Sequence, residues 1–195
     1  MELRRLCVFC GSSPGATPAY ADAARALAGE LAARGIGLVY GGAHVGLMGL
    51  VADTCRAAGG EVVGVIPQSL VEAEVAHTGL DDLRVVGSMH ERKALMAELS
   101  DGFVALPGGI GTFEELFEMW TWAQLGHHTK PCALLNVRGF YDGLIAFLDQ
   151  VAERGFIKGA HRAMLIVGQE PIELIDRLRA YEPPAVSKWI TARQR

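Results

Sequence analysis

The chain contains 195 residues, of which 50% are hydrophobic and 21% are charged, and its formal net charge at pH 7 is −4. This composition is typical of one folded globular domain and excludes a disordered chain. The acidic balance disfavours nucleic-acid binding, and no apolar stretch approaches the roughly 20 residues that cross a membrane. We therefore expect a cytoplasmic protein with no nucleic-acid partner and no membrane partner.

Short β-rich segments alternate with longer helical segments along the chain. Strands are predicted at residues 6–10, 37–40, 61–66, 83–86, 102–106, 132–137 and 164–167. Helices are predicted at residues 18–34, 46–58, 89–99, 113–125, 141–153 and 171–180. This alternation indicates βαβ units and a mostly parallel sheet with helices on both faces. We expect a single domain over residues 1–195, in which residues 181–195 form an irregular tail.

The four cysteines form no pattern that indicates a metal site or a disulfide. Cys7 and Cys10 have redox-motif spacing, but they lie in a predicted strand, where residues three apart point to opposite faces. Buried, reduced thiols are therefore the favoured interpretation for all four cysteines. His127 and His128 follow a predicted helix end and are expected to form a solvated turn. No metal site is predicted.

Three predicted strands end in loops of small residues. The loops are Cys10-Gly11-Ser12-Ser13, Gly41-Gly42-Ala43 and Pro107-Gly108-Gly109-Ile110-Gly111-Thr112. In an open α/β sheet, ligands bind outside the carboxyl ends of the strands. Backbone N–H groups and helix N-termini at such loops face one crevice, which suits a phosphate. A full dinucleotide fingerprint and a P-loop lysine are both missing, so the sequence disfavours a nucleoside triphosphatase.

Two acidic residues follow the last of these loops. Thr112-x-x-Glu115 has the spacing of a capping box, and this interpretation alone would explain both Glu114 and Glu115. Glu114 lies on a polar stripe of the predicted helix, whereas Glu115 shares a stripe with Met119 and Trp122. We therefore expect Glu115 to be less solvated than Glu114. A carboxylate on an apolar face beside an anion site is a catalytic candidate.

The helix predicted at 89–99 carries a basic residue on its apolar face. Ser88-x-x-Glu91 is a second capping box at the start of this helix. Arg92 shares its stripe with leucine and methionine side chains, and a buried arginine needs an anionic partner. Glu91 or another carboxylate of the fold would satisfy Arg92. A bound phosphate or Glu115 would also satisfy it and would place Arg92 in a functional site.

Four segments resemble the "lonely guy" family of cytokinin riboside 5′-monophosphate phosphoribohydrolases, some members of which carry an old lysine decarboxylase label. The segments are Tyr40-Gly41-Gly42, Gly46-Leu47-Met48-Gly49, Met89-His90-Glu91-Arg92-Lys93 and the Pro-Gly-Gly-x-Gly-Thr-x-x-Glu run from Pro107 to Glu115. The resemblance extends from about Leu6 to about Leu178. It implies a Rossmann-like, doubly wound fold. It also implies cleavage of the N-glycosidic bond of adenosine-type monophosphates to free base and ribose 5-phosphate.

The resemblance also implies roles for particular residues. Arg92 and Glu115 match the catalytic pair of the family. The matching ligand contacts are Glu74, Lys93, Gly109, Gly111, Thr112 and Thr121. The glycine-rich loops add further candidate substrate-binding residues, namely Gly11, Ser12, Gly41, Gly42 and Gly108. One departure is Ala43, where many members of the family have a third glycine.

The same resemblance bears on partners and cofactors. A nucleoside monophosphate is the expected substrate. The apolar helix at 113–125 and the resemblance together predict a homodimer, with helices 89–99 and 113–125 near its interface. No lysine lies in a context that is recognisable for pyridoxal phosphate, so no cofactor is expected. The alternatives are a non-catalytic nucleotide or cofactor carrier, and a relative of DNA-processing proteins that the acidic balance disfavours.

Overall fold

The structure, a computed structural model, describes residues 2–73 and 75–184 around a seven-stranded sheet. The strands are β1 (Arg5–Phe9), β2 (Gly37–Tyr40), β3 (Val62–Pro67), β4 (Asp82–Val86), β5 (Gly102–Ala105), β6 (Cys132–Leu135) and β7 (Leu165–Gly168). Their order across the sheet is β4-β3-β2-β1-β5-β6-β7, and every neighbouring pair is parallel. Each predicted strand is confirmed, with ends that differ by at most two residues.

The described residues also form eight α-helices. The helices are α1 (Pro18–Ala33), α2 (Gly46–Ala57), α3 (Gln68–Glu72), α4 (Met89–Leu99), α5 (Ile110–Leu125), α6 (Asp142–Glu153), α7 (Gly159–Arg162) and α8 (Pro171–Arg179). The six predicted helices are all present. Helices α3 and α7 were not predicted, because they have only five and four residues and are too short to show a helical period. Helix α5 begins at Ile110, three residues before the predicted start at residue 113.

The sheet separates two apolar cores. Side chains of α1, α2 and α8 fill the core on one side, and side chains of α4, α5 and α6 fill the core on the other. Along β1, Val8 enters the first core, whereas Cys7 and Phe9 enter the second, because successive strand residues point to opposite faces. Cys10 lies in the first core, so Cys7 and Cys10 are on opposite sides of the sheet, as predicted. The fold is therefore the doubly wound α/β fold that the sequence predicts.

The cysteines are free and buried, as expected. Burial raises the pKa of Cys55 to about 11 and raises the pKa of Cys7 well above its ordinary value. Such thiols are protonated at neutral pH and are poor nucleophiles. Within residues 2–73 and 75–184, no group of three or more His, Cys, Asp or Glu side chains is placed to hold a metal ion.

The chain order places the glycine-rich loops together. Strands β1 to β4 are added outward in one direction, and the chain then returns to place β5 beside β1. The carboxyl ends of β1 and β5 thus form the switch point at which open α/β sheets bind ligands. Strand β2 is the other neighbour of β1, so the three loops follow three adjacent strands.

Two further expectations concern the chain outside this sheet. No helix of the described part of the chain is long and apolar enough to cross a membrane. Of the irregular tail predicted at 181–195, residues 181–184 belong to neither a helix nor a strand, and residues 185–195 lie outside the described residues.

Candidate active site

The loops after β1 and β5 touch at the switch point. The backbone N–H of Gly11 donates to the carbonyl oxygen of Pro107 at 3.1 Å, and the N–H of Leu47, at the start of α2, donates to the carbonyl oxygen of Gly11 at 3.0 Å. A Cβ atom on Gly11 would lie 3.3 Å from the Cα of Gly108. The two loops can approach this closely because both positions are glycine.

The first turn of α5 is open to solvent. Gly109 is its N-cap, and among the described residues no side chain caps the turn. Gly109 and Gly111 are exposed, and a Cβ atom on either would meet no described heavy atom within 4 Å. The φ of Gly109 is −95°, so neither crowding by the described residues nor a left-handed backbone requires this glycine. Uncapped N–H groups at an open helix N-terminus form a site that suits an anion.

Thr112 has a different role from the predicted one. Because α5 begins at Ile110, Thr112 is its third residue and does not cap the helix, so the predicted capping box of Thr112 and Glu115 is wrong. Thr112 is buried, and its Oγ1 would lie 2.1 Å from a Cβ atom on Gly108. The packing of the β5 loop on the β1 loop thus leads the chain into the helix earlier than the side-chain pattern indicates.

Arg92 and Glu115 form a buried ion pair between α4 and α5. The Nη2 atom of Arg92 is 3.2 Å from Oε1 of Glu115, and both side chains are less than 10% exposed. The Nε atom of Arg92 donates to the carbonyl oxygen of Val65 in β3 at 3.2 Å. Of the partners that the sequence left open for Arg92, the structure therefore selects Glu115. Glu91 instead accepts a hydrogen bond from the N–H of Gly87 at 2.8 Å.

The loop after β2 leaves space for the guanidinium group of Arg92. A Cβ atom on Gly41 would lie 2.0 Å from Nη2 of Arg92. The next residue, Gly42, has a φ of +72°, a left-handed conformation that favours glycine. A Cβ atom there would also lie 3.0 Å from the Cβ of Ile66. These two glycines therefore hold the loop close to Arg92 and to β3.

The second turn of α5 concentrates charge. Glu115 is buried and Glu114 is exposed, as predicted. Burial raises the pKa of Glu115, although the charge of Arg92 acts in the opposite direction. Lys93 is buried next to Arg92, and its Nζ atom contacts Oε1 of Glu114 and lies 2.9 Å from Oε2 of Glu118. Burial lowers the pKa of Lys93, but these two carboxylates outweigh it and leave the pKa above the ordinary value.

Two further predicted site residues are Thr121 and Glu74. Thr121 is exposed and lines a different cavity of about 450 Å³, together with Phe117, Phe156 and other residues of α5 and of the loop after α6. Glu74 lies outside the described residues.

A smaller cavity adjoins the loops after β1 and β5. It has a volume of about 230 Å³, and its wall includes Gly11, Ser12, Gly108 and Gly109 together with aromatic side chains. The aromatic side chains are those of Tyr20 and Phe140, and neither was predicted as a site residue. Their rings make an edge-to-face contact with centroids 5.7 Å apart, although they are 120 residues apart in the chain. Local sequence patterns contain no signal for such a contact.

The histidines after α5 are only partly as expected. Gly126 ends the helix in a left-handed conformation, and His127 is exposed. His128 is half-buried, and its ring lies 5.3 Å from the ring of Phe103, so a solvated turn is wrong for this residue. Burial lowers the pKa of His128 to about 4, and the nearby charge of Lys130 adds to this effect. His128 is therefore neutral at physiological pH.

Comparison with known proteins identifies the family. A family model described as "Possible lysine decarboxylase" matches residues 48–178. A probable cytokinin riboside 5′-monophosphate phosphoribohydrolase of Oryza sativa subsp. japonica is 53% identical over 182 residues, which is 93% of this chain and 80% of the relative. A cytokinin riboside 5′-monophosphate phosphoribohydrolase of Arabidopsis thaliana is 48% identical over 193 residues, which is 96% of this chain and 85% of the relative.

Solved structures with lower identity share the fold. The molybdenum cofactor binding protein of Rippkaea orientalis superposes with a TM-score of 0.69 at 23% identity, covering 92% of this chain and 98% of that chain. DNA processing protein A of Helicobacter pylori gives a TM-score of 0.55 at 17% identity, covering 91% and 81%. These solved structures show the fold alone, and the family assignment comes from the family model and the sequence identity. The chain belongs to the family whose plant members are named cytokinin riboside 5′-monophosphate phosphoribohydrolases.

Proposed function

We propose that the protein hydrolyses the N-glycosidic bond of adenosine-type nucleoside 5′-monophosphates, with free base and ribose 5-phosphate as products. One observation carries this proposal: Glu115, which forms a buried ion pair with Arg92 of α4, lies on the second turn of a helix whose first turn is open, uncapped and suited to an anion. Relatives that are about half identical and carry the name phosphoribohydrolase support the same reaction.

The first turn of α5 would bind the 5′-phosphate. The backbone N–H groups of Gly109, Gly111 and Thr112 lie at the N-terminus of the helix, where the helix dipole also favours negative charge. The open space beside both glycines lets a phosphate oxygen approach the backbone. Gly11 and Ser12 border the same side of the crevice.

Glu115 would act on the ribose. Departure of the base builds positive charge on the sugar, as in other glycoside cleavages. An ionised carboxylate beside C1′ attracts that charge more strongly in the transition state than in the ground state, and only such a difference accelerates the reaction. Glu115 would also orient the water that attacks C1′. Arg92 keeps Glu115 oriented and opposes the effect of burial, which favours the protonated carboxyl.

The lysine decarboxylase description fits this site poorly. A pyridoxal phosphate enzyme needs a lysine that can lose its proton and form a Schiff base. Lys93 is the lysine beside the crevice, and its two carboxylate partners raise its pKa. These contacts hold the amine in its charged form, so we derive no step through pyridoxal phosphate.

Incubation of the pure protein with AMP, followed by an assay for free adenine, tests the proposal. A nucleosidase releases adenine and ribose 5-phosphate in equal amounts. A non-catalytic carrier binds AMP and releases it unchanged, and that result would refute the proposal. The isoprenoid-modified riboside monophosphate, assayed in parallel, shows which of the two substrates is preferred.

We further propose that the protein is a homodimer that works in the cytoplasm. Ala94 and Ala97 on α4 and the ring of Trp122 on α5 line a groove, together with the polar side chains of Glu98, His127, His128 and Lys130, and this mixed surface suits packing against a second copy. Free, buried cysteines are typical of a reducing compartment. Light scattering at micromolar concentration tests the dimer, and a mass near the 20.9 kDa of one chain would contradict it.

A further inference from the structure

One side chain contacts both ends of the loop at residues 107–112, which carries the proposed phosphate site. The hydroxyl group of Tyr141 donates to the carbonyl oxygen of Leu106, directly before the loop, at 2.6 Å. The ring of Tyr141 also makes an edge-to-face contact with the ring of Phe113, directly after the loop, with centroids 6.2 Å apart. All the backbone N–H groups proposed to bind the phosphate lie between these two contacts.

Tyr141 is itself held in a fixed position. It is 1% exposed and precedes α6. Its backbone N–H donates to Oδ1 of Asn136 at 2.8 Å, and the backbone N–H of Asn136 donates to the carbonyl oxygen of Gly168 in β7 at 2.7 Å. Burial raises the pKa of Tyr141, so the hydroxyl group keeps its proton at neutral pH and donates it to Leu106. The sheet therefore supports Tyr141, and Tyr141 supports the loop.

The middle of the loop depends on its two ends for its shape. Backbone hydrogen bonds to the β1 side fix its start: the N–H of Leu106 donates to Phe9 at 2.9 Å, and the carbonyl oxygen of Pro107 accepts from Gly11. Further along, the exposed glycines of the first turn of α5 have no side chains that could pack. Glycine also has the largest backbone freedom to lose. The contacts of Tyr141 therefore join the fixed start of the loop to the helix that follows.

We propose that Tyr141 is a positioning residue that braces the loop at residues 107–112 and so holds its backbone N–H groups in the arrangement that binds the 5′-phosphate. This inference rests on the proposed function. Because Tyr141 is buried, it acts through the loop. A binding loop that is already ordered loses less conformational freedom when the ligand binds, so the brace raises the affinity for the phosphate.

Removal of one hydroxyl group tests the brace. Tyr141→Phe keeps the ring and deletes the hydrogen bond to Leu106. The Kd of ribose 5-phosphate, measured by calorimetry, should rise about three- to tenfold, and kcat/KM for AMP should fall by a similar factor. Ser100→Ala is the matched control, because it deletes another buried hydroxyl group that donates to a backbone carbonyl, that of Met96 at 2.8 Å, at the far end of α4. This control should change the Kd less than about twofold.

Hydrogen exchange tests the brace without ligand or activity. The amides of residues 108–113 should exchange at least about threefold faster in Tyr141→Phe than in the wild-type protein, because the loop opens more often. Ser100→Ala should leave their exchange unchanged. Phe113→Leu, which removes the ring contact and keeps the hydrogen bond, should act in the same direction as Tyr141→Phe in both exchange and Kd. It provides a second test, and circular dichroism on every variant establishes that the fold is retained.

A role of Tyr141 in stability alone predicts a different pattern. Tyr141→Phe would then lower the Tm as Ser100→Ala does, with the Kd of ribose 5-phosphate and the exchange of the loop unchanged, and this result overturns the brace. A wild-type protein that binds ribose 5-phosphate but releases no adenine from AMP refutes the proposed reaction instead. The Kd and exchange measurements still decide the brace in that case, so the two failures are distinguishable.

Discussion

The first and second turns of α5 differ in exposure, in the space around the backbone and in charge. In the first turn, Gly109 and Gly111 are exposed, and a Cβ atom on either would have no described heavy atom within 4 Å. In the second turn, Glu115 is buried and paired with Arg92, and Glu114 contacts the buried Lys93, which Glu118 of the following turn also contacts. One turn has unused N–H groups and space, and the other has carboxylates already held by cations.

The difference shows how an anion site and an acidic cluster can be neighbours. The phosphate would interact with the end of the helix, where the N–H groups point along its axis. The carboxylates lie on its flank, facing α4, and two buried cations offset most of their charge. The first turn would therefore supply affinity for a part of the substrate that does not react, and the second would supply the chemistry.

The largest expected effect concerns the second turn. Glu115→Gln keeps the shape of the side chain and removes its charge, so kcat for AMP should fall about a hundred- to a thousandfold while AMP still binds. Steady-state adenine release and calorimetric AMP binding measure the two quantities.

The matched control for this variant lies away from the cluster. Glu153→Gln should retain full activity, whereas Glu114→Gln is unsuitable because Glu114 contacts Lys93. Near-normal turnover of Glu115→Gln would leave Glu115 with a structural role only, as the partner of Arg92.

The next effect concerns the first turn. Gly109→Val and Gly111→Val block approach to the backbone and should lower AMP turnover about ten- to a hundredfold, since each lost hydrogen bond to a charged group is worth roughly 1.5–3 kcal/mol. Residual cleavage of adenosine, which has no phosphate, should change little. The measurement is adenine release from AMP, ADP, ATP and adenosine under one set of conditions.

Substrate truncation sharpens the same comparison in the wild-type protein. Adenosine should be cleaved far more slowly than AMP at saturating concentration, because remote binding positions the reacting bond. ATP should also be a poor substrate, since the turn is short. Equal rates for adenosine and AMP would mean that the glycines of the first turn bind no phosphate.

A smaller effect is expected on stability, where substitutions at the adjacent glycines Gly108 and Gly109 should differ. A Cβ atom on Gly108 would lie 2.1 Å from Oγ1 of Thr112 and 2.9 Å from the backbone nitrogen of Gly11. Gly108→Ala should therefore lower the free energy of unfolding by about 1–3 kcal/mol, as overpacking does. Gly109→Ala meets no described atom and should change it by roughly 0.5 kcal/mol or less. Urea unfolding compares the two, and equal losses would contradict the difference between them.

The smallest expected effect is a shift in the pH dependence of activity, caused by the raised pKa of Glu115. Burial raises the pKa of Glu115, and catalysis needs the ionised carboxylate, so activity should fall with decreasing pH through a pKa above the ordinary glutamate value. The folded protein also binds this proton more tightly than the unfolded chain does. The contribution of Glu115 to the free energy of unfolding therefore decreases as pH rises through the same window. A kcat profile with an acid limb at the ordinary glutamate pKa would contradict this.

The sequence predicted the helix faces correctly. The period of 3.6 residues placed Glu115 on the apolar side of α5 and Glu114 on the polar side, and Arg92 on the apolar side of α4. The period of two in the strand predicted at residues 6–10 placed Cys7 and Cys10 on opposite sides of the sheet, where the structure has them. These predictions succeeded because the face that a residue occupies follows from its own element.

The errors arose where distant contacts decide the local structure. The pattern of Thr112 and Glu115 imitates a capping box, but the close packing of Gly108 against Gly11 starts α5 three residues earlier. His128 follows a helix end and would be solvated in an isolated helix, but it packs against Phe103 of β5. In both cases a residue far away in the chain overrides a local signal.

Local periodicity and turn chemistry were enough to define the longer elements, their buried faces and the three glycine-rich loops at strand ends. The pairing of Arg92 with Glu115, and of Lys93 with Glu114 and Glu118, became apparent only in the folded chain. No local pattern contains these pairings, because a contact between two helices depends on how both lie on the sheet. That geometry is set by the packing of the whole core.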